Sequence, residues 1–328
     1  MELSDDILFT MKRIGILRGG VSPEYNISLK TGTNVQRALA ESGFEAIDML
    51  LDKDGVLHIK GIPADLKDVK ENVDTVWNAL HGEFGEDGQL QKMLDDMGIT
   101  YTGSGEETSM LAFNKQTAKE KAESLGINTP QSMLIMPDGD ESVSAITQRI
   151  YNTMAPPWVL KPLAGGGSVR AYFAFTPLEL SQFVDDSVGH AAPFLVEQYI
   201  HGREAAVGVI NDFRTKSEYV LPVVEVRSGS REVVNHELRN SEQDYAVHSG
   251  SFSSDEREKL SSLARELHSA FGAEDYSQSE FIIDNRGRVW FIEIDTHPHL
   301  TKNAPFLVAL DAVGASLQEF VRSVLENK

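Results

Sequence analysis

From Arg13 to about Phe113, short apolar runs alternate with stretches of helical periodicity, and no other feature limits the fold of this chain as tightly. Parallel strands must be joined by long crossovers, usually helices, so the alternation predicts an open parallel α/β sheet. Ile14, Ile16 and Leu17 form the first strand and run into Gly19-Gly20, and Leu29, Val35, Ala38 and Leu39 mark a helix. Further strands are expected from about Phe44 to Leu51 and from Val73 to Leu80, after which Leu90, Met93, Leu94 and Met97 return to helical spacing.

The rhythm changes at Asn114. A Lys/Ala/Glu-rich helix runs to Leu125, is stopped by Gly126 and is followed by Pro130. A strand over Trp158 to Lys161 leads into Ala164-Gly165-Gly166-Gly167-Ser168, and Thr176-Pro177-Leu178-Glu179 supplies an N-cap, a first-turn proline and a capping-box glutamate for a helix. Beyond Tyr199 come a polar, loop-like segment from about Arg227 to Ser254 and a helix with Leu260, Leu263, Ala264, Leu267 and Phe271 on one face. A hairpin turning at Asp284-Asn285-Arg286-Gly287 and a C-terminal helix complete the chain. Three domains are expected, over residues 1–113, 114–199 and 200–328, without internal repeats.

Composition bounds the function. The 328 residues are 41% hydrophobic and 24% charged, ordinary for a soluble globular protein. No apolar run is long enough to cross a bilayer, and Met1 to Thr10 contain no basic residue, unlike a secretory signal. The absence of cysteine excludes disulfides, thiolate metal sites and cysteine nucleophiles, and a cytoplasmic location is expected. A net charge of −20 speaks against a nucleic-acid partner but leaves a nucleotide ligand open.

The hairpin carries chemistry. If Asn285 and Arg286 form a two-residue loop, Phe281 and Ile283 share an apolar face with Trp290, Ile292 and Ile294. Glu280 then shares the other face with Phe291, Glu293 and Asp295. A loop of odd length would instead turn Glu280 to the apolar face. Clustered carboxylates repel unless a cation sits among them, and oxygen-only donors suit Mg²⁺; a solvated strand face is the alternative. The run Gly165-Gly166-Gly167-Ser168 can bring backbone N–H groups to phosphates or be a plain flexible loop. Lys161 before it, and Lys115, can meet a phosphate as point charges. Glu197 and Glu204 flank the end of an apolar strand, and Glu24 and His81 lie where strands of the first domain enter loops, the edge at which open α/β sheets bind ligands.

In this order the pieces resemble the D-alanine–D-alanine ligase family. The resemblance rests on Gly19-Gly20-Val21-Ser22-Pro23-Glu24 with Ser28-Leu29, on Asn78-Ala79-Leu80-His81-Gly82, and on Gly85-Glu86-Asp87-Gly88 with Tyr101-Thr102-Gly103-Ser104-Gly105. It continues through Lys115, Lys161-Pro162, Glu197 and Gly202-Arg203-Glu204 to Glu293-Ile294-Asp295-Thr296-His297-Pro298 and Thr301, covering nearly the whole chain. It implies an ATP-grasp fold: the N-terminal α/β domain followed by two ATP-grasp subdomains. It also implies a cytoplasmic ligase of cell-wall peptidoglycan synthesis, homodimeric, acting on amino acids through an acyl phosphate.

By resemblance, Lys115, Lys161 and the loop Gly166, Gly167 and Ser168 contact the ATP phosphates, Glu197 lies at the adenine hinge and Glu204 takes the ribose. Glu280, Glu293 and Asp295 hold two Mg²⁺ ions, for which Mn²⁺ could substitute. Glu24 orients the first substrate's ammonium group and His81 lies near its carboxylate. This chain departs from the family pattern elsewhere. Gly167 replaces a serine, Arg170 a glycine, Gln278 an arginine that supports the tetrahedral intermediate, His299 a glycine of the oxyanion site, and Ala304 a serine that binds the second substrate's carboxylate. Arg239 and Asn240 align with a lysine and tyrosine of a mobile loop. The ATP and metal half is thus retained and the peptide-forming half altered. An acceptor other than D-alanine, or a non-catalytic ATP-binding role, remains open at this stage.

Overall fold

Three sheets follow one another in a computed structural model that describes residues 11–40, 42–137, 141–165, 171–228, 245–248 and 251–328. The first contains β1 (Arg13–Gly19), β2 (Glu45–Leu51), β3 (Leu57–Ile59), β4 (Ile62–Ala64), β5 (Thr75–Asn78) and β6 (Thr100–Tyr101), in the order β4-β3-β2-β1-β5-β6. Strands β2, β1, β5 and β6 are parallel, as the alternation requires. The antiparallel pair β3 and β4 was not predicted, because runs of three residues are too short to show a period. Helices α1 (Tyr25–Ala40), α2 (Leu66–Asn72), α3 (Gln89–Asp96) and α4 (Glu106–Phe113) belong to this part of the chain. The strand order reverses between β1 and β5, and ligands of open α/β sheets bind at such a reversal.

Helix α5 (Lys115–Ser124) starts at Asn114, whose Oδ1 accepts the N–H groups of Gln116 and Thr117. The second sheet is antiparallel: β7 (Ser132–Ile135), β8 (Trp158–Pro162), β9 (Tyr172–Ala174) and β10 (Phe194–Gln198), ordered β7-β10-β8-β9. Helices α6 (Val143–Thr153) and α7 (Pro177–Gly189) pack on each other beside it. The capping box expected from Thr176 and Glu179 is present at the start of α7.

The third sheet holds β11 (Gly202–Phe213), β12 (Lys216–Val220), β13 (Val224–Ser228), β14 (Tyr245–His248), β15 (Tyr276–Asp284) and β16 (Val289–Asp295). Its order is β14-β13-β11-β15-β16, with β12 also paired to β11. The loop reading of residues 227–254 is corrected at both ends. Arg227 pairs with Ala246 and Ser228 with Tyr245, because backbone ladders form regardless of side-chain polarity. Helix α8 (Ser254–Phe271) buries Leu260, Ala264, Leu267 and Phe271 as predicted, and α9 (Pro305–Ala312) and α10 (Leu317–Glu326) follow.

The hairpin of β15 and β16 departs from expectation twice, and the departures cancel. Asp284 N–H donates to Arg288 O and Gly287 N–H to Asp284 O, so residues 285–287 form a three-residue loop with Gly287 at φ +74°. That odd loop places Phe291, not Trp290, in the core beside Phe281 and Ile283. A β-bulge then inserts Ile292, and the ladder resumes with Glu280 opposite Glu293 and Gln278 opposite Asp295. The two carboxylate-bearing strands are therefore brought face to face by a bulge rather than by the loop.

The C-terminal helices tie the third sheet to the first. Trp77 of β5 stacks on Tyr276 at 6.3 Å and meets Phe320 of α10 edge-on at 6.1 Å, in a cluster that also contains Ile14, Val35 and Phe306. This core holds the loops of the first sheet against the base of the hairpin.

Candidate active site

A cavity of about 550 Å³ is lined by β8 and β10 of the second sheet, by β11, β15 and β16 of the third, and by the loops after β1 and β5. A smaller chamber of about 70 Å³ shares Glu24, Lys115, Glu280 and Glu293 with it and adds His81, Glu86, Gln278, Asp295 and His299.

One wall is cationic. Lys161 on β8 reaches across to Glu197 on β10, Nζ to Oε2 2.8 Å. Glu197 Oε1 accepts from Lys119 of α5 at 2.9 Å, and Lys119 also donates to Pro130 O. Burial by itself raises the Glu197 carboxyl, but Lys161 and Lys119 overcome that and hold it below its ordinary value. Lys115, the first residue of α5, donates to Gly165 O, and burial pushes its ammonium down while Glu293 pulls it back up. Glu204 of β11, opposite Ile282, lines the cavity further along.

The opposite wall is anionic. Asp295 is pushed up to about 7, by burial first and also by the charges of Glu293, Glu24 and Glu280, while the N–H of His297 donates to its Oδ1 at 2.6 Å. Gln278 Nε2 approaches Glu280 Oε1 at 3.4 Å. Among the described residues no three acidic or histidine side chains converge tightly enough to hold a single ion. The donor set nonetheless fits a hard divalent cation. It consists of carboxylate oxygens, and their mutual repulsion is the condition that such a cation relieves.

Loops of the first sheet close the chamber. Ser22 Oγ donates to His81 O at 2.6 Å, and Glu24 N–H donates to Ser22 Oγ. Gly82 has φ +74°, a conformation that favours glycine, and a Cβ there would lie 2.8 Å from Glu24 Oε2. Leu300 N–H donates to Thr31 Oγ1, which also lies 3.0 Å from His81 Nε2. His81 Nδ1 lies 2.9 Å from Glu86 Oε1, whose carboxyl burial pushes well above its ordinary value. Burial, with His297 and His299 nearby, holds His81 well below its ordinary value and therefore neutral. His299 Nδ1 lies 2.9 Å from Thr301 Oγ1. Ala304 caps α9, fully buried and without a side-chain acceptor for the helix N–H groups, while Pro305 lines the chamber. Gly166, Gly167, Ser168, Arg170, Arg239 and Asn240 lie outside the described residues.

Sequence comparison joins this geometry to known proteins. The family model described as D-ala D-ala ligase C-terminus matches residues 122–326, and that of the D-ala D-ala ligase N-terminus matches residues 58–104. A D-alanine–D-alanine ligase of Carboxydothermus hydrogenoformans is 30% identical over 95% of this chain and 97% of its own length. The chain belongs to the D-alanine–D-alanine ligase family.

The fold of this ligase-family chain is shared with solved structures. D-alanyl-alanine synthetase A of Vibrio cholerae superposes with a TM-score of 0.83 at 23% identity, over 97% of this chain and 98% of that one. D-alanine–D-alanine ligase of Bacillus anthracis complexed with ATP superposes with a TM-score of 0.77 at 22% identity, over 96% of each chain. The chain is thus an ATP-dependent ligase with the ATP-grasp fold, the class expected from its motifs. No helix among the described residues is long and apolar enough to cross a membrane.

Sequence reasoning about the ligase site passed over Lys119, Glu86 and Thr31. For Lys119 a signal existed. It stands one helical turn after Lys115 and between Ala118 and Ala122, which are both buried, where a lysine needs a partner. Thr31 gave none, because its partners lie 50 and 269 positions away.

Proposed function

We propose that this enzyme joins two molecules of D-alanine, forming an acyl phosphate with ATP and releasing ADP, phosphate and the dipeptide. The observation that carries the reading is the facing of a lysine wall and a carboxylate wall across one cavity, beside the Glu24 and His81 loops. In this reading residues 1–113 supply the first amino acid's site, and residues 114–199 and 200–328 enclose the nucleotide.

Lys115 and Lys161 bind the triphosphate as point charges, with Gly166, Gly167 and Ser168 offering backbone and hydroxyl donors. Glu197 borders the adenine and Glu204 takes the ribose. Glu24 orients the first substrate's ammonium group, and neutral His81, braced by Glu86 and Thr31, faces its carboxylate. That carboxylate attacks the γ-phosphorus, the bond to the β,γ-bridging oxygen breaks, and ADP leaves. Glu280, Glu293 and Asp295 would hold Mg²⁺, or Mn²⁺, which supplies neutralisation of phosphate charge when bound. The second substrate's amine then attacks the acyl carbonyl, and the oxyanion collapses with loss of phosphate. Gln278 offers that oxyanion a neutral donor where the family has arginine, and His299 stands beside it. Ala304 leaves the acceptor's carboxylate without the family's hydroxyl. The enzyme acts in the cytoplasm, as a homodimer, on a peptidoglycan precursor.

Phosphate release from ATP is the test, measured with D-alanine, L-alanine, D-serine, D-lactate or no addition, with products identified by mass. Release that depends on D-alanine and yields its dipeptide is expected. Release independent of any addition, or a product lacking D-alanine, would overturn the reading.

A further inference from the structure

Lys119 is 2% exposed, in a helix whose first residue already contributes Lys115 to the cavity. Fully burying an ammonium is costly unless it is paired. Its Nζ is held by Pro130 O at 2.8 Å and Glu197 Oε1 at 2.9 Å, while Lys161 takes the other oxygen of the same carboxylate. Glu123, a turn further along α5, is exposed and accepts from Thr129. Lys161 and Glu197 line the cavity; Lys119 stands behind them. The group of two lysines and one carboxylate thus carries a surplus positive charge, and Lys161 is the lysine of the two that lines the cavity. Without Lys119, Lys161 is the one lysine left in an ion pair with Glu197 among the described residues, and the surplus of this group disappears.

We infer that Lys119 is a positioning residue: by neutralising Glu197 from behind, it leaves the Lys161 ammonium available to an anionic ligand in the cavity. The inference rests on the reading that the cavity takes ATP. Charge at one remove acts on a charged ligand and not on a neutral one, which separates this role from simple support of the fold.

Lys119→Met and Lys119→Met/Glu197→Gln are compared with the parent by calorimetric titration with the β,γ-imido analogue of ATP and with adenosine. The single variant is expected to bind the triphosphate about tenfold more weakly, or worse, with adenosine affinity unchanged. The double variant, which restores the surplus charge, regains the parent's ratio of triphosphate to adenosine affinity. Lys119→Gln, which keeps a donor, supplies the same comparison if the methionine variant does not fold. An equal loss for both ligands, no loss for either, or a double variant with the single variant's ratio overturns the inference. A parent that binds neither ligand overturns the nucleotide reading itself.

Discussion

On one side of the cavity Glu197 lies between the ammonium groups of Lys119 and Lys161; on the other, Glu280 and Glu293 face each other, with Glu24 and Asp295 close by. Both regions withdraw charge from water; in the first two lysines flank one carboxylate, while in the second Lys115 is drawn to Glu293 and Glu24 among several carboxylates. Two like charges about 4 Å apart at an effective dielectric of 20 repel by about 4 kcal/mol. A hydrogen bond to a charged group returns about 1.5–3 kcal/mol net, so the contact of His297 N–H with Asp295 offsets only part of a repulsion of that size. The lysine wall is complete before any ligand arrives and presents surplus positive charge. In the proposed reading a divalent cation would complete the carboxylate wall. That difference fits the ligand proposed above, a nucleoside triphosphate with a divalent metal.

The sharpest way to break this comparison is to remove a carboxylate from the anionic wall. Glu293→Gln is expected to lower D-alanine-dependent phosphate release at least about a hundredfold, since a metal ligand outweighs the outer-shell partners that cost 10–100-fold. Thermal unfolding of the same variant should still show one cooperative transition, which separates loss of a site residue from loss of the fold. A folded Glu293→Gln enzyme that works at the parent rate would take Glu293 out of the site.

On the lysine wall, Lys161→Ala should weaken an ATP analogue by about 2 kcal/mol, within the range for hydrogen bonds to charged groups. Calorimetric titration measures this, and unchanged affinity would show that the surplus charge is directed elsewhere. A smaller effect is expected at Gln278, which stands opposite Asp295. Combining Gln278→Arg with His299→Gly should raise dipeptide formation about tenfold, a fraction of what one oxyanion donor supplies. Product quantified by mass spectrometry decides it, and no gain would mean that other groups already stabilise the oxyanion.

The smallest effect concerns the hairpin that carries the anionic wall. Gly287 sits at φ +74°, and nothing lies within 4 Å of the position that a Cβ would take, so alanine there meets no clash. Gly287→Ala should cost about 1 kcal/mol through backbone conformation alone. Urea denaturation reads that loss, and turnover of the folded enzyme should persist.

What the sequence alone determined is whatever short-range periodicity and capping can encode. The parallel β1–β2–β5 core, the start of α7 at Thr176, the apolar face of α8 and the residue types of both walls belong here. The order of the motifs was enough to recognise the family. Tertiary structure alone decided the parity of the hairpin, where a three-residue loop and the Ile292 bulge cancel, since a bulge answers to the packing of Phe291 beside Phe281 rather than to any local pattern. It also decided that Lys119 is buried against Glu197, 78 residues away, and that α10 packs on Trp77 of the first sheet. Such contacts join segments distant in the chain, and periodicity within one segment carries no information about which distant partner will satisfy a buried charge or cover an apolar ring.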